Sequence, residues 1–254
     1  MSPSEPTPAN PADEIHYGGK RLQEILGNLR DGPDDPGDVW RFMAFAMPLA
    51  KASKAQLFQD LWALWTADGK RGGYFVEFGA VDGVYLSNTL FLEREMGWTG
   101  LLAEPNPAFA ESLRRERTCA ISTDCVYSHS DLVIDFMATK KGEFSRIADI
   151  VPGDAYEERR NRRFSTVQVN TVSLNDLLER FKAPPQIDFL SIDTEGSEFE
   201  ILAEFDFDRW DVRSIAVEHN WTPARESLRT LLESRGYRRR WPRLSRFDDW
   251  YVKV

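Results

Sequence analysis

Five short apolar runs, each stopped by a polar or glycine residue at its carboxyl end, constrain this chain more than any other feature. They are YFVEFG (74–79), GLLAEP (100–105), CAISTD (119–124), IDFLSIDTEG (187–196) and SIAVEHN (214–220). Runs with so little polar alternation belong to strands buried on both faces. Most are separated by helix-like stretches, which is the pattern of a parallel α/β sheet. The final pair, GYRRRWPRL (236–244) and RFDDWYVKV (246–254), leaves little room for a helix between them. The expectation is therefore a parallel sheet closed by an antiparallel hairpin.

The segment ahead of these strands reads differently. Residues 1–14 carry Pro3, Pro6, Pro8 and Pro11 and almost nothing apolar to bury, which predicts a disordered tail. Residues 15–70 predict a helical extension, and 71–254 the main domain. Leu22, Ile25, Leu26 and Leu29 mark a helix over 16–30, and DGPDDPGD (31–38) breaks the chain. Two more helices are expected, over 39–50 and 54–67, the second with Leu57, Leu61, Leu64 and Trp65 on one face and Ser53 as its cap. Trp40, Phe42, Met43, Phe45 and Met47 are too apolar to leave in water. They pack on the core, cover a ligand or join copies of the chain into a homo-oligomer.

Charge excludes some functions. The 254 residues hold 32 Lys and Arg against 41 Asp and Glu, a net charge of −9, so a nucleic-acid partner is not expected. Nowhere do about 18 apolar residues run together, which predicts no membrane span, and the opening residues lack a leader pattern. Only Cys119 and Cys125 are present, too few for a disulfide framework or a four-thiolate zinc site. A cytoplasmic location is expected.

Ligands of an open parallel sheet bind beyond the carboxyl ends of its strands, so the residues there are the candidates. Glu77-Phe78-Gly79-Ala80-Val81-Asp82-Gly83 is a glycine-bearing loop, with Val81 where a middle glycine would stand. Glu104 follows 25 residues after Gly79, where a carboxylate that accepts from ribose hydroxyls is expected, although a helix cap also explains it. Asp124-Cys125-Val126 suits either an adenine-side wall or a turn with a buried thiol. Asp193, Glu195 and Glu198 crowd one strand end, where like charges repel unless a cation, a metal or a proton is handled there. For Glu198 a helix-dipole role is the simpler account. In Glu218-His219-Asn220 the histidine suits either catalysis or a structural hydrogen bond.

Together these motifs carry a resemblance. SKAQLFQDLWAL, GYFVEFGAVDGVYLSNTLFLE, GWTGLLAEPNP, TDCVYS, VNTVSLNDLL, IDFLSIDTEGSEFEIL and AVEHN, in this order from Ser53 to Asn220, resemble the FkbM family of S-adenosylmethionine-dependent methyltransferases. The resemblance implies the class I methyltransferase fold, a Rossmann-like, seven-stranded, mostly parallel sheet with an antiparallel last strand. In chain order its strands lie 3-2-1-4-5-7-6. It also implies cofactor contacts from Glu77, Gly79, Ala80, Asp82, Ser87, Asn88, Glu104, Asn106, Asp124, Cys125 and Asp193, with the cofactor's carboxylate near the helix opened by Ser87-Asn88. The implied reaction is O-methylation of a sugar, glycan or polyketide-like small molecule. Asp193 or His219 is then the expected base, and Glu195 and Glu218 orient the acceptor. Asp193, Glu195 and Glu218 would also accommodate magnesium, although their spacing in sequence assigns no metal site. Gln59 and Asp60 match a family motif and equally suit a polar helix face. Arg159, Arg160, Arg162 and Arg163 suit a solvated loop or a cover for an anionic acceptor. Competing readings are an NAD-dependent enzyme, disfavoured by the missing GxGxxG, and a non-catalytic scaffold.

Overall fold

The computed structural model describes residues 35–140, 142, 144–150 and 164–254. The expected tail, the helix over 16–30 and the arginines at 159–163 lie outside them. The strands are β1 (Tyr74–Phe78), β2 (Thr99–Ala103), β3 (Ala120–Ser122), β4 (Cys125–Tyr127), β5 (Val133–Thr139), β6 (Arg146–Ile147) and β7 (Phe164–Ser173). After them come β8 (Gln186–Ile187), β9 (Phe189–Ile192), β10 (Asp211–Val212), β11 (Ser214–Glu218), β12 (Tyr237–Arg240) and β13 (Asp248–Lys253). The helices are α1 (Pro36–Ala46), α2 (Gln59–Thr66), α3 (Leu90–Met96), α4 (Ala110–Glu116), α5 (Leu174–Arg180), α6 (Glu198–Ala203) and α7 (Ala224–Ser234).

The main sheet has seven strands in the order β12-β13-β11-β9-β1-β2-β3. Its pairs are parallel from β11 through β3, while β13 runs antiparallel to both β11 and β12. All five apolar runs and the terminal hairpin thus supply main-sheet strands. Each strand faces both ways: Val76 packs with Leu190, Ile215, Leu228 and Leu232 on the α7 side. Phe75 packs on the other side with Leu61, Trp62, Leu92, Phe189 and Trp250. The burial of these large side chains, each roughly 1.5–3 kcal/mol, holds helices on both faces of the sheet.

The leading helices belong to this second core. Phe42 lies 5.2 Å from the Trp241 ring, and Trp62 stacks on Trp250 at 5.0 Å. Arg240 closes an ion pair with Asp38. Phe42 is buried and Met43 and Phe45 are packed against it, but Trp40 and Met47 stay 48% and 70% exposed, against the expectation that all five leave water. Two boundaries also differ. The first helix starts earlier than expected because Asp35 caps it and Pro36 takes its first position, where a missing amide costs nothing. The second starts later, and Ser53 is not its cap. Phe58 turns the chain in there with φ 64°, and Ser53 Oγ donates to Asp60 Oδ1 instead.

A second sheet, in the order β4-β7-β5-β6, stands beside the main one. Cys125 and Val126 open its strand β4 rather than ending the third run of the main sheet. The hairpin of β5 and β6 carries Gly142, Phe144 and Ser145 at its turn.

Candidate functional site

A cavity of about 310 Å³ opens at the carboxyl ends of β1, β2, β9 and β11 and is roofed by the β5–β6 hairpin. Its wall gathers Glu77, Gly79, Ser87, Asn88, Glu104, Cys125, Asp193, Glu195 and Glu218 from the residues singled out by sequence. It does not include Ala80, Asp82, Asn106, Asp124 or His219.

Glu77 organises the first loop. Its oxygens accept from the Asn88 amide at 2.8 Å, from Ser87 Oγ at 3.1 Å and from Thr89 Oγ1, and Arg117 stands 3.8 Å away. Arg117 sits in a polar stretch where nothing in the sequence marks it, yet its side chain is 0% exposed. It bonds Glu93 at 2.6 Å, the Gly83 carbonyl at 3.1 Å and Thr89 Oγ1 at 2.8 Å. Glu77 is thereby matched to a cation of the protein itself. Three amides where α3 opens are also taken: Glu77 accepts from Asn88 N, and Ser87 Oγ accepts from Thr89 N and Leu90 N. These three amides are not free for a cofactor carboxylate. Asn88 Oδ1, by contrast, is buried without a hydrogen-bond partner, although its Nδ2 donates to Ser191.

Gly79 has φ 74°, and a Cβ there would meet the Asp193 carbonyl oxygen at 2.0 Å. Only glycine lets the loops after β1 and β9 approach this closely. Val81 adopts φ 48°, the conformation a glycine would hold easily, and its amide donates to Glu104 Oε2 at 2.9 Å. Asn106 N donates to the other oxygen of Glu104 at 2.8 Å. Burial pushes the Glu104 carboxyl up to about 7, against these two hydrogen bonds. Next to it lie Pro105, Cys125, Val126, Phe136 and Ile147, which make an apolar slot.

The residues outside the wall have other work. Asp82 Oδ1 accepts from Val84 N and Tyr85 N and fixes the loop. Ala80 packs in the core, Asn106 caps the turn at Pro107–Phe109, and Asp124 pairs with Arg180. His219 is the clearest correction. Strand alternation turns it away from the face that Glu218 presents. Its Nδ1 accepts from Trp221 N at 2.9 Å, and burial holds the imidazole down to about 4. A ring so placed does not reach a ligand in the cavity as a base.

On the far wall, side-chain oxygens of Asp193, Glu195 and Glu218 all lie within 4.8 Å of one another. Burial, then Asp193, Glu195, Glu198 and Asp248, keep Glu218 well above the usual carboxyl range. Glu198 itself accepts from Thr194 N, Thr194 Oγ1 and Gly196 N, each at 3.0 Å, and shapes the turn. Sequence reasoning missed Asp248 and gave Gln59 an equal reading as solvated. Both line the cavity, and Asp60 is also buried rather than on a polar face.

The Methyltransferase FkbM domain matches residues 77–239, well over half of the chain. The chain belongs to this family. As an FkbM-domain protein it is a methyltransferase, and the match spans Glu77, Glu104, Asp193 and Glu218. Among solved structures it is similar to a precorrin-6y C5,15-methyltransferase from Geobacter metallireducens GS-15. The identity is 12% and the TM-score 0.41, over 71% of each chain. It is also similar to a methyltransferase FkbM from Methylobacillus flagellatus KT, at 13% identity and a TM-score of 0.42. That likeness covers 85% of this chain and 60% of the other, so the chain spans less than two thirds of that relative. A search of curated protein sequences gave no match. Among the described residues no helix is long and apolar enough to cross a membrane.

Proposed function

We propose that this FkbM-domain protein has the class I methyltransferase fold and moves a methyl group from S-adenosylmethionine to a hydroxyl of a sugar, glycan or polyketide-like small molecule. The observation that carries the reading is Glu104. It is a buried carboxylate at the end of β2, held by amides of two loops, beside an apolar slot. That combination suits a ribose and its adenine. The residues fit the rest of the cofactor as well. The orphaned Asn88 Oδ1 is an acceptor waiting for a donor, which the ammonium of the methionine part would supply. Asp193 and Glu195 set negative charge where the sulfonium would lie. When bound, the cofactor supplies an activated methyl group.

The protein's own part is to hold the acceptor in line with that methyl, exclude water and take up a proton. With His219 turned away, the base is sought among the cavity carboxyls. Asp193 and Glu195 are read as counter-charge for the sulfonium, with Glu218, held well above the usual carboxyl range, beside them. The two free thiols, Cys119 and Cys125, agree with a cytoplasmic setting. Thermal shift tests the reading. S-adenosylhomocysteine at about 100 times its Kd should stabilise the protein by about 2.7 kcal/mol, and NADH should not. No shift with S-adenosylhomocysteine would overturn it.

A further inference from the structure

The dipeptide Asp248-Asp249 opens β13, and the strand's two-residue period sends the side chains to opposite faces. Asp249 is matched by cations: Arg225 donates to both of its oxygens at 2.9 and 2.8 Å, and Arg239 adds a contact at 3.2 Å. Asp248 looks the other way, into the cavity, and is 5% exposed. Its partner across the antiparallel ladder is Glu218, which lines the same cavity. Side chains opposed in this way share a face with Cβ atoms about 4.5–5.5 Å apart. Among the described residues neither carboxyl has an ion pair. What Asp248 does have is Gln59, whose Nε2 donates to Oδ2 at 2.8 Å. Gln59 is in turn fixed by the Leu57 amide, which donates to its Oε1 at 2.8 Å.

We propose that Glu218 and Asp248 form a proton-sharing carboxyl pair and that Asp248, aimed by Gln59, takes the proton of the acceptor hydroxyl. The pair rests on the methyl-transfer reading for its purpose but not for its protonation. Two carboxyls that face one cavity from paired positions of a ladder cannot both ionise easily. Asp248 is pushed up to about 7 by burial, with Asp249 and Glu198 adding to it against the Gln59 hydrogen bond. Glu218 is held well above the usual carboxyl range by burial and by Asp193, Glu195, Glu198 and Asp248. The pair shares one proton, and the Gln59 hydrogen bond favours Asp248 as its ionised member. In the transfer, the acceptor's O–H bond breaks and its proton passes to Asp248. The electron pair left on oxygen bonds the methyl carbon as the carbon–sulfur pair departs onto sulfur.

Infrared difference spectra of the ligand-free full chain between pH 6 and 8 test the pair directly. Wild type should show several carboxyls titrating near 7, Asp60 and Glu104 among them; D248N should lack one of these bands, and E218Q should move that same band to lower pH. Unchanged spectra in both variants would overturn the pair. Turnover of labelled S-adenosylmethionine over a panel of hexose methyl glycosides tests the base. D248N should lower kcat by about a hundredfold or more with KM for S-adenosylmethionine within twofold. Q59A should lower kcat less and shift the acidic limb of its pH profile. Undiminished kcat in D248N would overturn the base assignment. Failure of wild type to bind S-adenosylhomocysteine would instead sink the methyl-transfer reading and leave the infrared result standing.

Discussion

Gly79 sits against the backbone of Asp193 so closely that a single added carbon would lie 2.0 Å from the Asp193 carbonyl oxygen. The loops after the first and fourth parallel strands are thus locked face to face. Gly79→Ala must part them and also hold φ 74° with a side chain. The expected result is a loss of at least 2–3 kcal/mol, seen as a Tm drop of about 4–12 °C. S-adenosylhomocysteine affinity should fall more than tenfold by calorimetry.

Arg117 joins Glu77 and Glu93 inside the protein. Arg117→Met would strand two buried carboxylates, a change that typically costs about 3–5 kcal/mol. Tm should fall by about 10 °C. Arg117→Lys should recover only part of this, since an ammonium cannot reproduce the fork that reaches Glu93, Gly83 and Thr89.

Asp60 and Glu104 are both raised to about 7, chiefly by burial, in the folded protein. A carboxyl with a raised folded pKa binds its proton more tightly folded than unfolded. The stability it contributes is complete below about pH 4 and is lost as pH rises through 7. The ligand-free protein should therefore melt at lower temperature at pH 8 than at pH 6. Asp60→Asn should flatten that slope, and a slope unchanged in the variant would count against the burial of a carboxyl there.

His219→Ala should leave S-adenosylhomocysteine affinity within twofold and kcat within about threefold, with Tm lower by a few degrees. The imidazole serves the Trp221 amide and not the cavity. A hundredfold loss of kcat in a folded variant would contradict this placement.

Dialysis against EDTA should leave both the S-adenosylhomocysteine shift and turnover unchanged. A loss restored by magnesium would make ligands of Asp193, Glu195 and Glu218, which lie within 4.8 Å of one another.

The parts of the fold legible in sequence are those where burial on both faces writes a continuous apolar run. β1, β2, β9 and β11 are of this kind, and so are the acids that end them, Glu77, Glu104, Asp193 and Glu218. The second sheet left a weaker mark. β5 exposes part of its length, with Val133 63% exposed, so its residues read as neither a buried run nor a clean alternation. Arg117 was invisible because a buried arginine in sequence looks like any surface arginine, and only its partners reveal it. His219 was misplaced for a simpler reason. Position at a strand end does not say which face the side chain takes, and Glu218 beside it already occupied the cavity side. Gln59 and Asp248 belong to elements far apart in the chain, and their meeting is a product of packing alone.

Strand β13 is the last made of the main sheet, yet it lies between two strands made before it, β11 and β12. Until it inserts, β12 is cut off from the rest of the sheet and Glu218 has no neighbour opposite. A nascent chain of this protein can therefore hold the matched family region, 77–239, in full and still lack a finished pocket. Synthesis imposes its own timing: the wall that carries Asp248 closes only as the end of the described chain arrives. A fragment cut to the family boundaries would be missing the strand that joins β12 to the sheet, not a tail.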